Sequence, residues 1–290
     1  MKTLVLANHQ ADVGKSTVAA MLVHHLARQG RRVLAIDLDH PGALGRSLRQ
    51  SEKVAAVPLA DDALTGTTLP HLPVTDGRPI VLIDGARRWR GLARQPRRRD
   101  NFIGNLQDLM AIVRRRFDVC VIDTPARPGV RLLAALACAD LVLVPSPLDP
   151  ASIGHVGYLF WHARCGIYKV QASFNPRLQV LGLLPTMVHA EGVCQDDRPH
   201  IARLAADHQD MLIRVGDRLN AGGSRSARGP ASEFAYVPLR PEIAQTLASG
   251  QMPWAVNATA ARAAWNEIRP SIETLSAHLA ADSVAVEVRP

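Results

Sequence analysis

The 290-residue chain is 47% apolar, enough to bury a full core, and one α/β domain spanning residues 1–290 is the expected organisation. No apolar run approaches the roughly 18–20 residues of a membrane span, and Leu4-Val5-Leu6-Ala7 is too short for a signal-peptide core, so a cytoplasmic location without membrane contact is expected. Basic residues outnumber acidic ones by 34 to 26, four of them lysine and thirty arginine; the arginine excess suits a polyanionic partner such as DNA, with compositional bias as the competing explanation.

In chain order, the first expected strand is TLVLAN (3–8), followed by QADVGKS and a helix from Ser16 to Gln29. That helix carries Val18, Met21, Leu22 and Leu26 at helical spacing and stops at Gly30, a natural residue for a helix end. Further apolar, β-rich runs are RVLAIDLD (32–39), PIVLID (79–84), DVCVID (118–123), DLVLVP (140–145), QVLGLL (179–184) and FAYVPL (234–239). Near-continuous apolar strands with helical patterns between them predict a doubly wound, mainly parallel sheet with helices on both faces. Between the strands, ARRWRGLARQPRRRD (86–100) reads as a loop with seven arginines, and Phe102 to Phe117 as an amphipathic helix with three arginines in its last turn. GDRLNAGGSRSARGPASE (216–233) reads as a Gly/Ser/Arg-rich loop, and Thr259 to Ala281 as a helix interrupted near Pro270. Cys120, Cys138, Cys165 and Cys194 form no CxxC pair, which argues against zinc or a disulfide framework; they read as buried small hydrophobes.

Gly14-Lys15-Ser16 sits between a strand and a helix, where a phosphate-binding loop belongs. Successive backbone N–H groups and the helix N-terminus attract anions there, Lys15 would reach the β- and γ-phosphates, and the Ser16 hydroxyl would ligate Mg²⁺. Asp123 ends a strand as IDTP, where a carboxylate can hold Mg²⁺ through water, and Asp37 and Asp39 end the strand after the first helix. In a parallel sheet, all of these lie at the carboxyl ends of strands, where ligands bind; the competing role of such an aspartate is to cap a turn.

In this order the motifs resemble those of the ParA/MinD group of P-loop ATPases, the ParA-like partition proteins in particular. Where that group has KGGxGK[ST], a DxDPQG-like segment and IDxPP, this chain has QADVGKST, DLDHPG and IDTPAR. The likeness continues through Ala139–Pro145, Asn175–Gly182 and Val237-Pro238, with 45–115 and 190–232 least constrained. The resemblance implies ATP with Mg²⁺ as ligands, a nucleotide-dependent homodimer, nonspecific DNA binding, nucleoid association and a ParB-like partner protein that stimulates slow hydrolysis. By position it implies Val13, Gly14, Lys15, Ser16 and Thr17 around the phosphates and Lys15 and Asp39 in catalysis, Asp39 orienting the attacking water. It further implies Ser16, Asp37 and Asp123 on the metal side, and Pro238, within Val237–Pro241, beside the adenine base.

Three residues depart from the group's loop. Its signature lysine, which reaches the partner's nucleotide, is Gln10, and its two glycines are Ala11 and Asp12. Gln10 donates hydrogen bonds but cannot neutralise charge on a transferring phosphoryl group, so hydrolysis should suffer more than binding. Asp12 tolerates a positive φ, but at ~6–8 Å from a phosphate charge and an effective dielectric of ~20 it repels by roughly 2–3 kcal/mol per unit charge before Mg²⁺ offsets it. Arg127 or Lys169 could supply a replacement cation, surface solvation being the competing role for each. Two functions are therefore expected: a ParA-like ATPase or nucleotide switch for positioning DNA, or a degenerate scaffold that binds DNA or a partner with weak or no hydrolysis. Three other readings fit less well: an iron–sulfur reductase on the same scaffold, because no cysteine sits in a cluster context; a metabolic ligase, because the sequence marks no second-substrate pocket; and a MinD-like membrane role, because SVAVEVRP is no basic amphipathic helix.

Overall fold

The apolar runs become strands whose alternate residues enter different cores. In β1 (Lys2–Leu6), Leu4 and Leu6 face one layer and Val5 the other; in β2 (Val33–Asp37), Val33 and Ala35 share the layer of Leu4 while Leu34 and Ile36 join Val5. A strand apolar on both faces must be covered on both, which parallel crossover connections accomplish. The computed structural model describes residues 1–39, 42–57, 64, 77–84, 96–188, 199, 211–216, 218–219, 225–226 and 234–280.

The remaining elements in chain order are α1 (Lys15–Arg28), preceding β2, then α2 (Ala43–Arg49), β3 (Val54–Val57), β4 (Ile80–Asp84), α3 (Pro96–Val113), β5 (Val119–Asp123) and α4 (Val130–Cys138). They continue with β6 (Leu141–Pro147), α5 (Pro150–Trp161), α6 (Ile167–Ser173), β7 (Gln179–Val188), β8 (Arg218–Leu219), β9 (Arg225–Ser226), β10 (Val237–Pro238), α7 (Pro241–Ala248) and α8 (Thr259–Ala280). The described strands form an eight-stranded sheet in the order β10-β7-β6-β1-β5-β2-β4-β3, with every pairing parallel, and a separate antiparallel pair β8–β9. The doubly wound reading therefore holds. β1 lies between β5 and β6: the chain leaves it for β2 on one side and later returns past it to β6 on the other, so the order reverses there and opens a crevice at the strand ends. One core layer packs α1, α2, α7 and α8, with Met21, Leu22, Leu26, Trp265 and Ile268; the other packs α3 to α6, with Phe102, Leu106, Leu132 and Phe160.

Several expectations require correction. β3 adds an edge strand that was not expected, since VAAV is only four residues long. Residues 96–100, expected as loop, form the first turns of α3, whose start at Pro96 needs no N–H partner. That helix ends at Val113, so Arg114–Arg116 lie in the turn beyond it. α8 runs unbroken through Pro270. The proline removes one backbone bond at about 3 kcal/mol, whereas Trp265, Ile268, Ile272, Leu275 and Leu279 are buried at about 1.5–3 kcal/mol each, so packing prevails. Within 216–233 only Gly216 and the short β8–β9 pair are described; residues 85–95, Cys194 and 281–290 lie outside the described residues. Cys120 and Cys165 are buried and Cys138 half-buried, all three as free thiols. Among the described residues, no helix is long and apolar enough to cross a membrane.

Candidate nucleotide-binding cleft

Three strands end in the same dipeptide. Ile36-Asp37, Ile83-Asp84 and Ile122-Asp123 align across β4, β2 and β5, so three carboxylates stand side by side at one edge of the sheet. Burial pushes the carboxyl pKa values of Asp37 and Asp123 well above the usual range, and Asp123 adds to the effect at Asp37. Asp37 is turned inward: its Oδ1 accepts from the Asp39 N–H (3.0 Å) and its Oδ2 from the Gly45 N–H (2.6 Å). Both of its oxygens are thus engaged by backbone N–H groups, which pins the segment that carries Asp39. Gly45 is required at this approach, because a Cβ there would lie 2.5 Å from Asp84 Oδ2 and 3.2 Å from Asp37 Oδ2.

The loop after β1 begins with Asn8, whose Nδ2 donates to the Pro145 carbonyl (2.7 Å) and whose Oδ1 accepts from the Gln10 N–H (2.9 Å). Asp12 (φ 57°) and Gly14 (φ 81°) are both left-handed, so Asp12 holds the turn that the group builds with glycine. From Gly14 the chain enters α1 directly, with the Val18 N–H bonded to the Gly14 carbonyl at 2.9 Å. The first-turn N–H groups and the helix dipole are thereby aimed out of the sheet edge, as an anion site requires.

Lys15 arches back over the loop and its Nζ donates to the Gln10 carbonyl at 2.9 Å. It is only 5% exposed; burial lowers its pKa, while Asp123, Asp39 and Asp12 oppose that shift. The Ser16 hydroxyl donates to Asp123 Oδ2 at 2.5 Å, while Asp123 Oδ1 is buried with no partner. An orphaned carboxylate oxygen beside a hydroxyl is what a hydrated cation would satisfy, so the residues present fit Mg²⁺. The cleft above them, ≈ 590 Å³, is lined by residues 11–17 together with Asp39, Arg46, Arg127, Arg131 and Met187, a size suited to a nucleotide.

Val13, Gly14, Lys15, Ser16, Thr17 and Asp39 thus meet at one cleft, with Asp123 beneath it. Pro238 does not line it; it pairs with Val188 on the edge strand β10. Lys169 lies on α6, away from the cleft, whereas Arg127 borders it. His9 packs against Tyr158 (5.1 Å) and His162 (5.7 Å), and burial with the neighbouring histidines takes its pKa to about 4. Asp84, Gly45 and Arg131 were missed by sequence reasoning. The thrice-repeated Ile-Asp strand ending was a visible signal for Asp84, but nothing local marks Arg131, whose place depends on where α4 starts.

The sequence matches the family described as the CobQ/CobB/MinD/ParA nucleotide binding domain over residues 4–215. It is 31% identical over 287 residues to the protein IncC of Escherichia coli, covering 93% of this chain and 67% of that protein. To the chromosome-partitioning ATPase Soj of Thermus thermophilus it is 29% identical over 197 residues, covering 64% and 70% respectively. The McdA–ATP complex of Cyanothece superposes with a TM-score of 0.70 over 98% of both chains at 17% identity, a likeness of fold. With the doubly wound sheet, the left-handed loop and the Ser16–Asp123 contact in place, the chain belongs to the CobQ/CobB/MinD/ParA nucleotide-binding family.

Proposed function

We propose that this chain is a ParA-like, single-domain ATP switch that positions DNA or another cargo, acting in the cytoplasm on the nucleoid. The observation that supports this most is the meeting of Lys15, Ser16 and Asp39 at one cleft with Asp123 in contact with Ser16. Relatives matched over much of this chain are named for chromosome partitioning, and the solved McdA structure holds ATP.

In this reading the loop N–H groups from Val13 to Thr17 and the Lys15 ammonium bind the phosphates, and Ser16 with Asp123 holds Mg²⁺, Asp123 through water. When bound, Mg²⁺ supplies charge that offsets the phosphate oxygens. Asp39, presented by the bond from its N–H to Asp37, orients the attacking water. Asp37 serves as its support. Two subunits close over the nucleotide through the Gln10–Asp12 surface, the closed dimer holds nonspecific DNA through its arginines, and a ParB-like protein accelerates release. Gln10 leaves the partner's nucleotide without the ammonium that the group brings across the interface, so turnover is slow.

Steady-state ATP hydrolysis by the full chain, with and without DNA, tests this beside Lys15→Ala and Gln10→Lys. Lys15→Ala abolishes nucleotide binding. Gln10→Lys raises turnover by about 10-fold or more, since one positioned donor in such a site contributes about 10²–10³ in rate. If ATP is neither bound nor hydrolysed by the wild-type chain, the scaffold reading replaces the switch.

A further inference from the structure

The cleft that lacks the group's lysine at position 10 is rich in cations from elsewhere: Lys15, Arg46, Arg127 and Arg131 all line it. They are held differently. Arg46 and Arg127 are exposed to solvent, whereas Arg131 is half-buried in the first turn of α4. Its Nη1 donates to the Leu38 carbonyl at 2.6 Å, and Leu38 in turn donates its N–H to the Asp123 carbonyl at 2.9 Å. The guanidinium therefore spans from α4 to the segment that presents Asp39, one bond away from the end of β5. Burial works against its charge, while Asp39 and Asp37 favour it.

A guanidinium has five N–H donors in a planar fork that matches phosphate, and the Leu38 bond employs one nitrogen. The carbonyl is a neutral acceptor, which a phosphate oxygen outcompetes. Position then decides which phosphate. With a nucleotide on the loop, Lys15 would reach the β- and γ-phosphates, and Ser16 with Asp123 would hold Mg²⁺ beside them, where it would supply positive charge. Arg131 lines the same cleft but is tied to Leu38, next to Asp39, and in the nucleotide-binding reading Asp39 orients the water that attacks the terminal phosphate, so this is the phosphate its side of the cleft would meet.

We propose that Arg131 binds the terminal phosphate of a nucleoside triphosphate, supplying from within one subunit the positive charge that Gln10 does not bring from a second. The proposal rests on the nucleotide-binding reading above. It makes Arg131 the residue by which the cleft distinguishes triphosphate from diphosphate.

Calorimetric titration of the full chain with ADP and with the β,γ-imido analogue of ATP, both with Mg²⁺, tests this. The variants are Arg131→Gln, Arg131→Lys and Lys15→Ala. Arg131→Gln weakens the triphosphate analogue by about 10- to 100-fold, the range for a lost hydrogen bond to a charged group, and changes ADP by less than about 3-fold. Arg131→Lys, which keeps the charge and loses the fork, falls between wild type and Arg131→Gln for the analogue alone. Lys15→Ala loses both nucleotides. Equal losses for the two nucleotides in the Arg131 variants would mean that the residue only braces Leu38 and would overturn the proposal, as would no loss at all. If thermal unfolding shows that Arg131→Gln does not fold, Arg131→Lys decides by the same ratio. A wild-type chain that binds neither nucleotide defeats the reading beneath the proposal, and is recognised because wild type and Lys15→Ala then behave alike.

Discussion

Asp12 carries two opposed effects in one side chain. Its backbone, at φ 57°, takes the left-handed conformation that a short polar residue tolerates, and its charge helps to keep Lys15 ionised. The same charge repels phosphate. Because Asp12 is exposed, solvent raises the effective dielectric above the ~20 assumed from sequence, and the repulsion falls from roughly 2–3 kcal/mol towards about 1 kcal/mol. Asp12→Asn keeps the turn and removes the charge, so it should tighten Mg²⁺-nucleotide binding by about 3- to 10-fold at low salt, with the gain shrinking as salt rises. Asp12→Val also removes the charge but places a β-branched residue at positive φ, and should lower the thermal midpoint instead. Calorimetric titration and thermal unfolding of both variants separate the two effects; equal affinity for wild type and Asp12→Asn at low salt would show that the charge is not felt at the phosphates.

At the scale of elements, α2 is positioned by what it lacks. Gly45 lets the helix approach until its N–H reaches Asp37, and the adjoining Arg49 pairs with Asp84 at 3.1 Å. Gly45→Ala gains about 1 kcal/mol of helix propensity but drives a methyl group into the Asp84 carboxylate, and overpacking of that kind costs typically about 1–3 kcal/mol. The net result should be a lower thermal midpoint together with weaker Asp37 support for Asp39, read as a fall in kcat of ATP hydrolysis larger than any change in KM. A rise in midpoint would mean that the carboxylates yield freely. The glycine itself was visible in the sequence, but its reason was not, since the clash involves residues 39 positions apart. The strands were legible for the opposite reason: burial on both faces leaves continuous apolar runs such as VLAID and VCVID that need no partner to be read. Pro270 misled because the local rule counts one lost hydrogen bond and cannot count the buried face of α8. Likewise, the loop motif exposed Lys15 and Ser16, while the Arg131–Leu38 bond, 93 residues apart, had no local trace.

For the whole molecule the decisive quantity is where the net charge of +8 is spent. Part of the arginine complement is taken up by ion pairs within the chain at its surface: Arg32 pairs with Asp118 at 2.8 Å, Arg240 with Glu267 at 2.6 Å and Arg49 with Asp84. Such pairs neutralise charge locally and leave the excess to other positions, among them the seven arginines of residues 86–100. If that excess serves DNA, binding must be electrostatic, indifferent to sequence and steep in salt. With 6–10 phosphates neutralised per closed dimer, the affinity for random duplex should fall by about 10³–10⁵ between 50 and 200 mM salt. A switch further requires that the number of contacts depend on nucleotide. Mg²⁺ with the β,γ-imido analogue should therefore steepen the salt slope of the wild-type chain, while Lys15→Ala keeps a shallow slope with or without nucleotide. Fluorescence anisotropy on two unrelated duplexes of equal length, with sedimentation to follow dimer formation, measures both. Equal slopes in all conditions, with affinity intact, would favour the scaffold over the switch: DNA would still be held by the arginines, but the cleft at Lys15 would no longer govern when.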